Sequence, residues 1–125
     1  MFASGSPFAP VTVNGRTLAA GQGNNAYVFP GVGLGIVSSG AKRVTNSMLI
    51  MVARTLAGLV EEEELAEGRV YPSLRRIQEV SLAIAVAVAE VAFANNLNTH
   101  SRPGDLPRFI RSQMFQPEYP DYTKK

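Results

Sequence analysis

The chain has 125 residues, 46% hydrophobic and 18% charged, with no Cys, no Trp and one His, and a net charge of +2. This composition fits one ordinary domain with a buried core and is too apolar for a disordered chain. It excludes disulfides, a thiolate nucleophile and any Cys-based or multi-histidine metal cluster. The charge is unevenly placed. Residues 1–60 hold no Asp or Glu and four basic residues, Arg16, Lys42, Arg43 and Arg54, while all ten acids lie in 61–125 beside eight basic residues. The first half thus offers no carboxylate for general acid–base work or metal binding, and it suits an anionic ligand. Four scattered cations make no basic stripe, so no nucleic-acid partner is expected.

In chain order, Met1-Phe2-Ala3 runs directly into Ser4-Gly5-Ser6-Pro7, as if a strand were ending. No basic segment precedes an apolar run there, so no signal peptide is expected. Val11-Thr12-Val13, Asn14-Gly15 and Arg16-Thr17-Leu18 spell a hairpin, because Asn and Gly both tolerate the positive φ of a type I′ turn. Gly21-Gln22-Gly23 reads as a loop. Residues 26–39 are ambiguous between strand and helix, since their glycines and Pro30 oppose a helix by propensity. Their length and small residues favour a closely packed helix, capped by Asn24 or Asn25, with Pro30 in its first turns.

Thr45 reads as the cap of a second helix, with Met48, Leu49, Val52, Leu56 and Leu59 at helical spacing. Glu61 to Glu64 suit the first turn of a short helix closed by Gly68. Pro72 suits the first turn of the longest helix, over 73–95, with Leu74, Ile77, Ile84, Val88 and Val91 on one face. That helix is apolar nearly all round, which predicts burial. Residues 102–105 break the pattern, a short helix follows over 106–114, and 118–125 read as an extended, exposed tail. No membrane partner is expected. The uncharged stretch 17–41 is interrupted by Gln22, Asn24, Asn25, Pro30 and six glycines, and the apolar stretch 80–89 is too short to span.

Gly31-Val32-Gly33-Leu34-Gly35 resembles a dinucleotide fingerprint only superficially. The third glycine is missing, and no acid follows until Glu61 to hold a ribose. Close helix packing is the better account of these glycines. Gly21-Gln22-Gly23-Asn24-Asn25 places two amides at a helix start, where one caps and the other can face an anion. On spacing alone, turn and cap roles outweigh the anion role. Ser4 and Ser6 have no base within sequence reach, and a triad with the distant His100 is not expected. Glu61 to Glu64 read as a solvated turn, Arg75 and Arg76 as a solvent-facing helix start, and His100 as a surface loop residue.

Two long runs, Phe2-Ala3-Ser4-Gly5-Ser6-Pro7-Phe8 and Gly21-Gln22-Gly23-Asn24-Asn25-Ala26-Tyr27-Val28-Phe29-Pro30-Gly31-Val32-Gly33-Leu34-Gly35, resemble the malic enzyme family. The resemblance continues in order through Arg43-Val44-Thr45, Gly68-Arg69-Val70-Tyr71-Pro72 and Ile77-Gln78-Glu79-Val80-Ser81. It implies a mainly α chain with a short N-terminal β-hairpin: the C-terminal piece of a Rossmann-type α/β nucleotide-binding domain plus trailing helices. Residues 1–100 would end the NAD(P)-binding domain, and 101–125 would form a C-terminal helix and extended tail.

Malic enzymes convert L-malate to pyruvate and CO2 with NAD or NADP and a divalent Mg or Mn. The resemblance implies that Asn24 contacts the malate carboxylate, that Asn25 supports the same site, and that Ser4 and Gly5 end a strand facing the cofactor. It reverses the spacing-only preference at Asn24. The family's catalytic Tyr and Lys, metal carboxylates, malate-binding Arg and glycine-rich dinucleotide loop have no matching motif here. Tyr27, Tyr71, Tyr119 and Tyr122 do not stand in the catalytic tyrosine's motif. The chain by itself is therefore expected to be inactive, as a piece of the enzyme or a truncated product. Its expected partners are the rest of a malic enzyme chain and, in the complete enzyme, further copies in a homo-oligomer. Cytoplasmic and mitochondrial settings both fit. The alternative is a non-enzymatic helical module that docks on a partner or on full-length malic enzyme, suggested by the apolar residues 80–94.

Overall fold

The computed structural model describes residues 2–116. The reading of 118–125 as an extended tail lies outside the described residues. The described residues form two small two-stranded sheets followed by five α-helices and two short 3-10 turns. Strand β1 (Ala3–Ser4) pairs in parallel with β4 (Gly21–Gln22), with Ala3 opposite Gly21 and Ser4 opposite Gln22. Strands β2 (Val11–Val13) and β3 (Arg16–Leu18) form the expected antiparallel hairpin. Its turn has Asn14 at φ 51° and Gly15 at φ 75°, the doubly positive geometry of a type I′ turn.

Gly21 and Gln22 are therefore strand, where the sequence suggested only loop. Two residues give no periodicity to read, and their pairing is non-local: the Gly21 N–H donates to Phe2 O at 2.9 Å and the Gly23 N–H to Ser4 O at 2.8 Å. Parallel strands need a crossover connection, and the β2–β3 hairpin is the excursion that supplies it.

Helix α1 (Phe29–Ser39) confirms the helical reading of an ambiguous stretch, with Pro30 in its first turn. The reason is packing. A Cβ on Gly31 would lie 2.8 Å from the Ile84 Cβ, and one on Gly35 would lie 2.6 Å from the Ala85 carbonyl oxygen. These two glycines, four apart on one face, let α1 lie directly against helix α4 (Ile77–Ala94). Gly33 points elsewhere, with no atom within 4 Å of its Cβ position.

Helix α2 (Asn46–Gly58) is capped by Thr45, whose Oγ1 accepts the Met48 N–H at 3.3 Å. Met48, Val52 and Leu56 are buried against α4. Leu49 differs from expectation: it is half exposed, because one more residue turns the helix by about 100° past the α4 contact.

Helix α3 (Glu62–Ala66) opens with a reciprocal capping box between Glu61 and Glu64. The acidic run is more than a solvated turn. Glu64 Oε1 also accepts the Ser73 N–H at 2.7 Å, tying α3 to the segment before α4.

The long helix begins later than expected. Ser73 caps a 3-10 turn, Leu74–Arg76, and the α-helix proper runs Ile77–Ala94, leaving Pro72 outside. Together the two make a 21-residue helical stretch, Leu74–Ala94, long and apolar enough to cross a membrane and longer than the apolar run in the sequence. In this fold it is the central element. Val80, Ile84, Val88 and Ala92 face α1 and α2, while Leu82, Ala85 and Ala89 face Leu106 and Ile110 of helix α5 (Leu106–Gln113).

Arg76 also differs from the solvent-facing reading. It bridges Glu61 and Glu79 at 2.7 Å each and donates to the Leu59 carbonyl at 3.1 Å. Arg75 is exposed, as is His100. The His100 Nδ1 lies 3.3 Å from the Ser38 carbonyl.

Candidate functional site

The parallel pair brings together the residues singled out in the sequence. Ser4 ends β1, and Gly5 follows it. Gln22 ends β4, and Gly23, Asn24 and Asn25 follow. Both groups therefore emerge at the carboxyl ends of neighbouring parallel strands, where open α/β sheets bind their ligands. The Gly23 N–H donates to Ser4 O at 2.8 Å, and the Gln22 Nε2 donates to Gly5 O at 3.2 Å. Gln22 was not singled out in the sequence beyond its place in the motif. Its link to Gly5 spans seventeen positions and carries no local signal.

Asn24 has extended backbone and starts the 3-10 turn Asn25–Tyr27. Its Oδ1 accepts the Ala26 N–H at 2.9 Å. That bond fixes which end of the amide is which: the oxygen serves the turn and the NH2 is left over as a double donor. Asn24 is exposed, so the donor is open to a ligand. The cap thus falls on the 3-10 turn, and α1 itself starts at Phe29, with Val28 as its N-cap and no side-chain cap. The turn and α1 follow one another here, and a helix start favours negative charge. Asn25 is exposed beside it, and its carbonyl accepts the Val28 N–H at 3.0 Å.

An open groove of about 590 Å3 runs beside this loop. Gly23, Asn24, Asn25 and Tyr71 form one wall, and Leu49, Ala53 and Ala57 of α2 the other. Among the described residues, no acidic side chain lines it. Behind it, Tyr27 is buried, and its hydroxyl donates to the Pro72 carbonyl. Burial, followed by the charge of Glu64, pushes the Tyr27 phenol above its ordinary pKa.

Ser4 Oγ accepts the Ser6 N–H at 3.3 Å, which closes the turn after β1. A Cβ on Gly5 would meet nothing nearer than the Gly23 carbonyl, 3.9 Å away. The backbone there is open to close approach, as a cofactor's backbone contacts require. A divalent metal is different. Among the described residues, no three of His, Cys, Asp and Glu are grouped to hold an ion, so these residues do not fit that role.

Comparison with known proteins decides the family. The profile described as "Malic enzyme, NAD binding domain" matches residues 1–93. The chain belongs to the malic enzyme family. Its relatives within the malic enzymes include the "NADP-dependent malic enzyme" of Anas platyrhynchos, 51% identical over 98% of this chain and 22% of the relative. The "NADP-dependent malic enzyme, mitochondrial" of Homo sapiens is 43% identical over 98% of this chain and 21% of the relative. The "NAD-dependent malic enzyme, mitochondrial" of Ascaris suum is 42% identical over 95% of this chain and 19% of the relative. The chain spans about a fifth of the length of these malic enzymes. Both cofactor types occur among the names of its relatives.

Proposed function

We propose that this chain supplies the substrate-orienting loop, and the helices that support it, to an NAD(P)-dependent malic enzyme that oxidatively decarboxylates L-malate to pyruvate and CO2. The observation that carries the proposal is the Asn24 amide. Its oxygen is engaged by the Ala26 N–H, and its NH2 is free and exposed at the carboxyl end of the parallel pair.

In this reading Asn24 donates to a malate carboxylate, with Asn25 beside it and the start of the helical segment adding favourable potential. Ser4 and Gly5 would hold the cofactor across the turn after β1. NAD(P), when bound there, would supply the hydride acceptor for C2 of malate. The contribution of Asn24 is to hold the substrate so that C2 faces that acceptor, and such positioning lowers barriers without any group changing protonation. The catalytic acid and base and the metal ligands belong to other segments of the enzyme, and the chain alone is inactive. Residues 1–100 complete the nucleotide-binding domain, 101–125 trail from it, and the complete enzyme is a homo-oligomer.

The test is Asn24→Ala in the complete enzyme. Loss of a hydrogen bond to a charged group lowers kcat/KM for malate by about 10- to 100-fold. An unchanged kcat/KM removes the assignment.

The docking-module reading has a different standing after the fold. The apolar helix that suggested it is covered by α1, α2 and α5. The exposed apolar side chains that this reading would need lie instead on α2, at Leu49, Ile50 and Met51. A native mass of the polypeptide in source extract separates the two. A band several times heavier than 13.4 kDa supports the enzyme reading, and a band at 13.4 kDa supports the module.

A further inference from the structure

We infer that Tyr71 is a positioning residue, whose ring clamps the Gly21–Gly23 backbone and thereby sets the direction in which Asn24 presents its amide. The second half of this inference rests on the reading of Asn24 given above. Among the described residues, strand β4 pairs with β1 alone. Tyr71 stands against it elsewhere. A Cβ on Gly21 would lie 3.5 Å from the Tyr71 Cδ2, and one on Gly23 would lie 3.7 Å from its Cε2. At Gly21 the Val70 backbone nitrogen comes closer still, at 3.3 Å, while at Gly23 the aromatic edge is nearest, ahead of the hydroxyl at 3.9 Å.

Tyr71 also stacks on Tyr27, with centroids 5.5 Å apart and planes 14° from parallel. Tyr27 in turn donates its N–H to the Asn24 carbonyl at 3.1 Å and its hydroxyl to Pro72. Asn24 is thus held on both sides. Tyr71 acts on the residue before it, Tyr27 on the turn after it, and the two rings brace each other. The brace has a fixed base. The Ser73 N–H is taken by Glu64, and Arg76 joins Leu59, Glu61 and Glu79. A loop of two glycines and two asparagines has high conformational entropy when free. An aromatic wall on rigid supports removes that freedom before substrate arrives, which is what a positioning device requires.

The test compares Tyr71→Leu, Tyr71→Met and Tyr71→Phe by 15N relaxation in the 125-residue chain and by malate kinetics in the complete enzyme. The α4 amide shifts report the fold, and the Leu or Met variant that retains them is read. In that variant, the order parameters of Gly23 and Asn24 fall from about 0.85 to below about 0.6. The KM for malate rises about tenfold, short of the roughly hundredfold that a 1 Å misplacement can cost. Tyr71→Phe keeps both near the parent. On an Asn24→Ala background, the Tyr71 substitution adds little to KM, because it acts through that residue.

Unchanged order parameters in both truncated variants overturn the inference. So does a Phe variant as impaired as the Leu variant, which would shift the role to the hydroxyl. A full additional KM effect on the Asn24→Ala background also overturns it. An Asn24→Ala enzyme with unchanged kcat/KM defeats the reading of Asn24, while the relaxation data still decide whether Tyr71 orders the loop.

Discussion

Replacing Gly35 by Ala tests why α1 is a helix at all. By intrinsic propensity the change stabilises, since Ala exceeds Gly by about 1 kcal/mol in a helix interior. The contact opposes it. The new methyl would stand 2.6 Å from the Ala85 carbonyl oxygen and 2.9 Å from the Val88 Cβ. Ordinary contact begins near 3.4 Å, so the helices must part by about 0.8 Å. The atom met first is backbone, which cannot rotate away. Overpacking of this kind costs about 1–3 kcal/mol, and the opposed helix is the core of the fold, so a value near the top of that range is expected.

Gly33→Ala is the control. It makes the same propensity gain with nothing within 4 Å. The difference between the two variants therefore isolates the contact, at about 2–3 kcal/mol. Urea titration followed by far-UV circular dichroism reads it. With a slope of about 2 kcal/mol per M, the midpoints differ by about 1–1.5 M, Gly33→Ala above the parent and Gly35→Ala below it. A Gly35→Ala chain as stable as Gly33→Ala refutes the argument that close approach to α4 selects glycine there.

Other expectations follow from the base of the loop. The Arg76 hydrogen bonds hold the Glu79 carboxyl below its ordinary pKa of 4.5. A depressed carboxyl contributes stability above that value and loses it as the pH falls through the folded-state pKa, so Glu79→Gln flattens the fall in urea midpoint below about pH 4.5. Arg76→Ala lowers the midpoint at neutral pH as well, because it also strips a donor from the Leu59 carbonyl; an unaltered midpoint would show that α3 needs no such tether. The raised Tyr27 phenol works in the opposite direction: stability is lost as the pH climbs past 10 toward the higher folded-state pKa. Tyr27→Phe abolishes that alkaline loss and, by leaving the buried Pro72 carbonyl without its donor, costs about 1–3 kcal/mol at neutral pH. An equilibrium titration of both proteins from neutral to alkaline pH checks the two effects together.

Much of this protein is written locally. The Asn14-Gly15 turn, the Thr45 cap, the Glu61–Glu64 capping box and the break before α5 each depend on residues within a few positions of one another. Local chemistry suffices for them, because a turn or a cap is satisfied by its own neighbours. At 24 and 25 spacing alone favoured turn and cap roles, and only the resemblance to malic enzymes pointed to an anion-facing amide at Asn24.

Tertiary contact decided the rest. A two-residue strand at Gly21–Gln22 has no pattern of its own and exists because β1 lies alongside it. Helix α1 runs against its glycine propensity because α4 rewards a surface without side chains. Leu49 and Met48 are adjacent and both apolar, yet only Met48 meets α4, since which face of α2 is buried is set by the partner's position. Tyr71 stands forty-eight positions beyond Gly23 and carries no motif that announces the contact. The free energy of such pairings comes from surfaces distant in sequence, and the composition of either surface alone does not reveal the other.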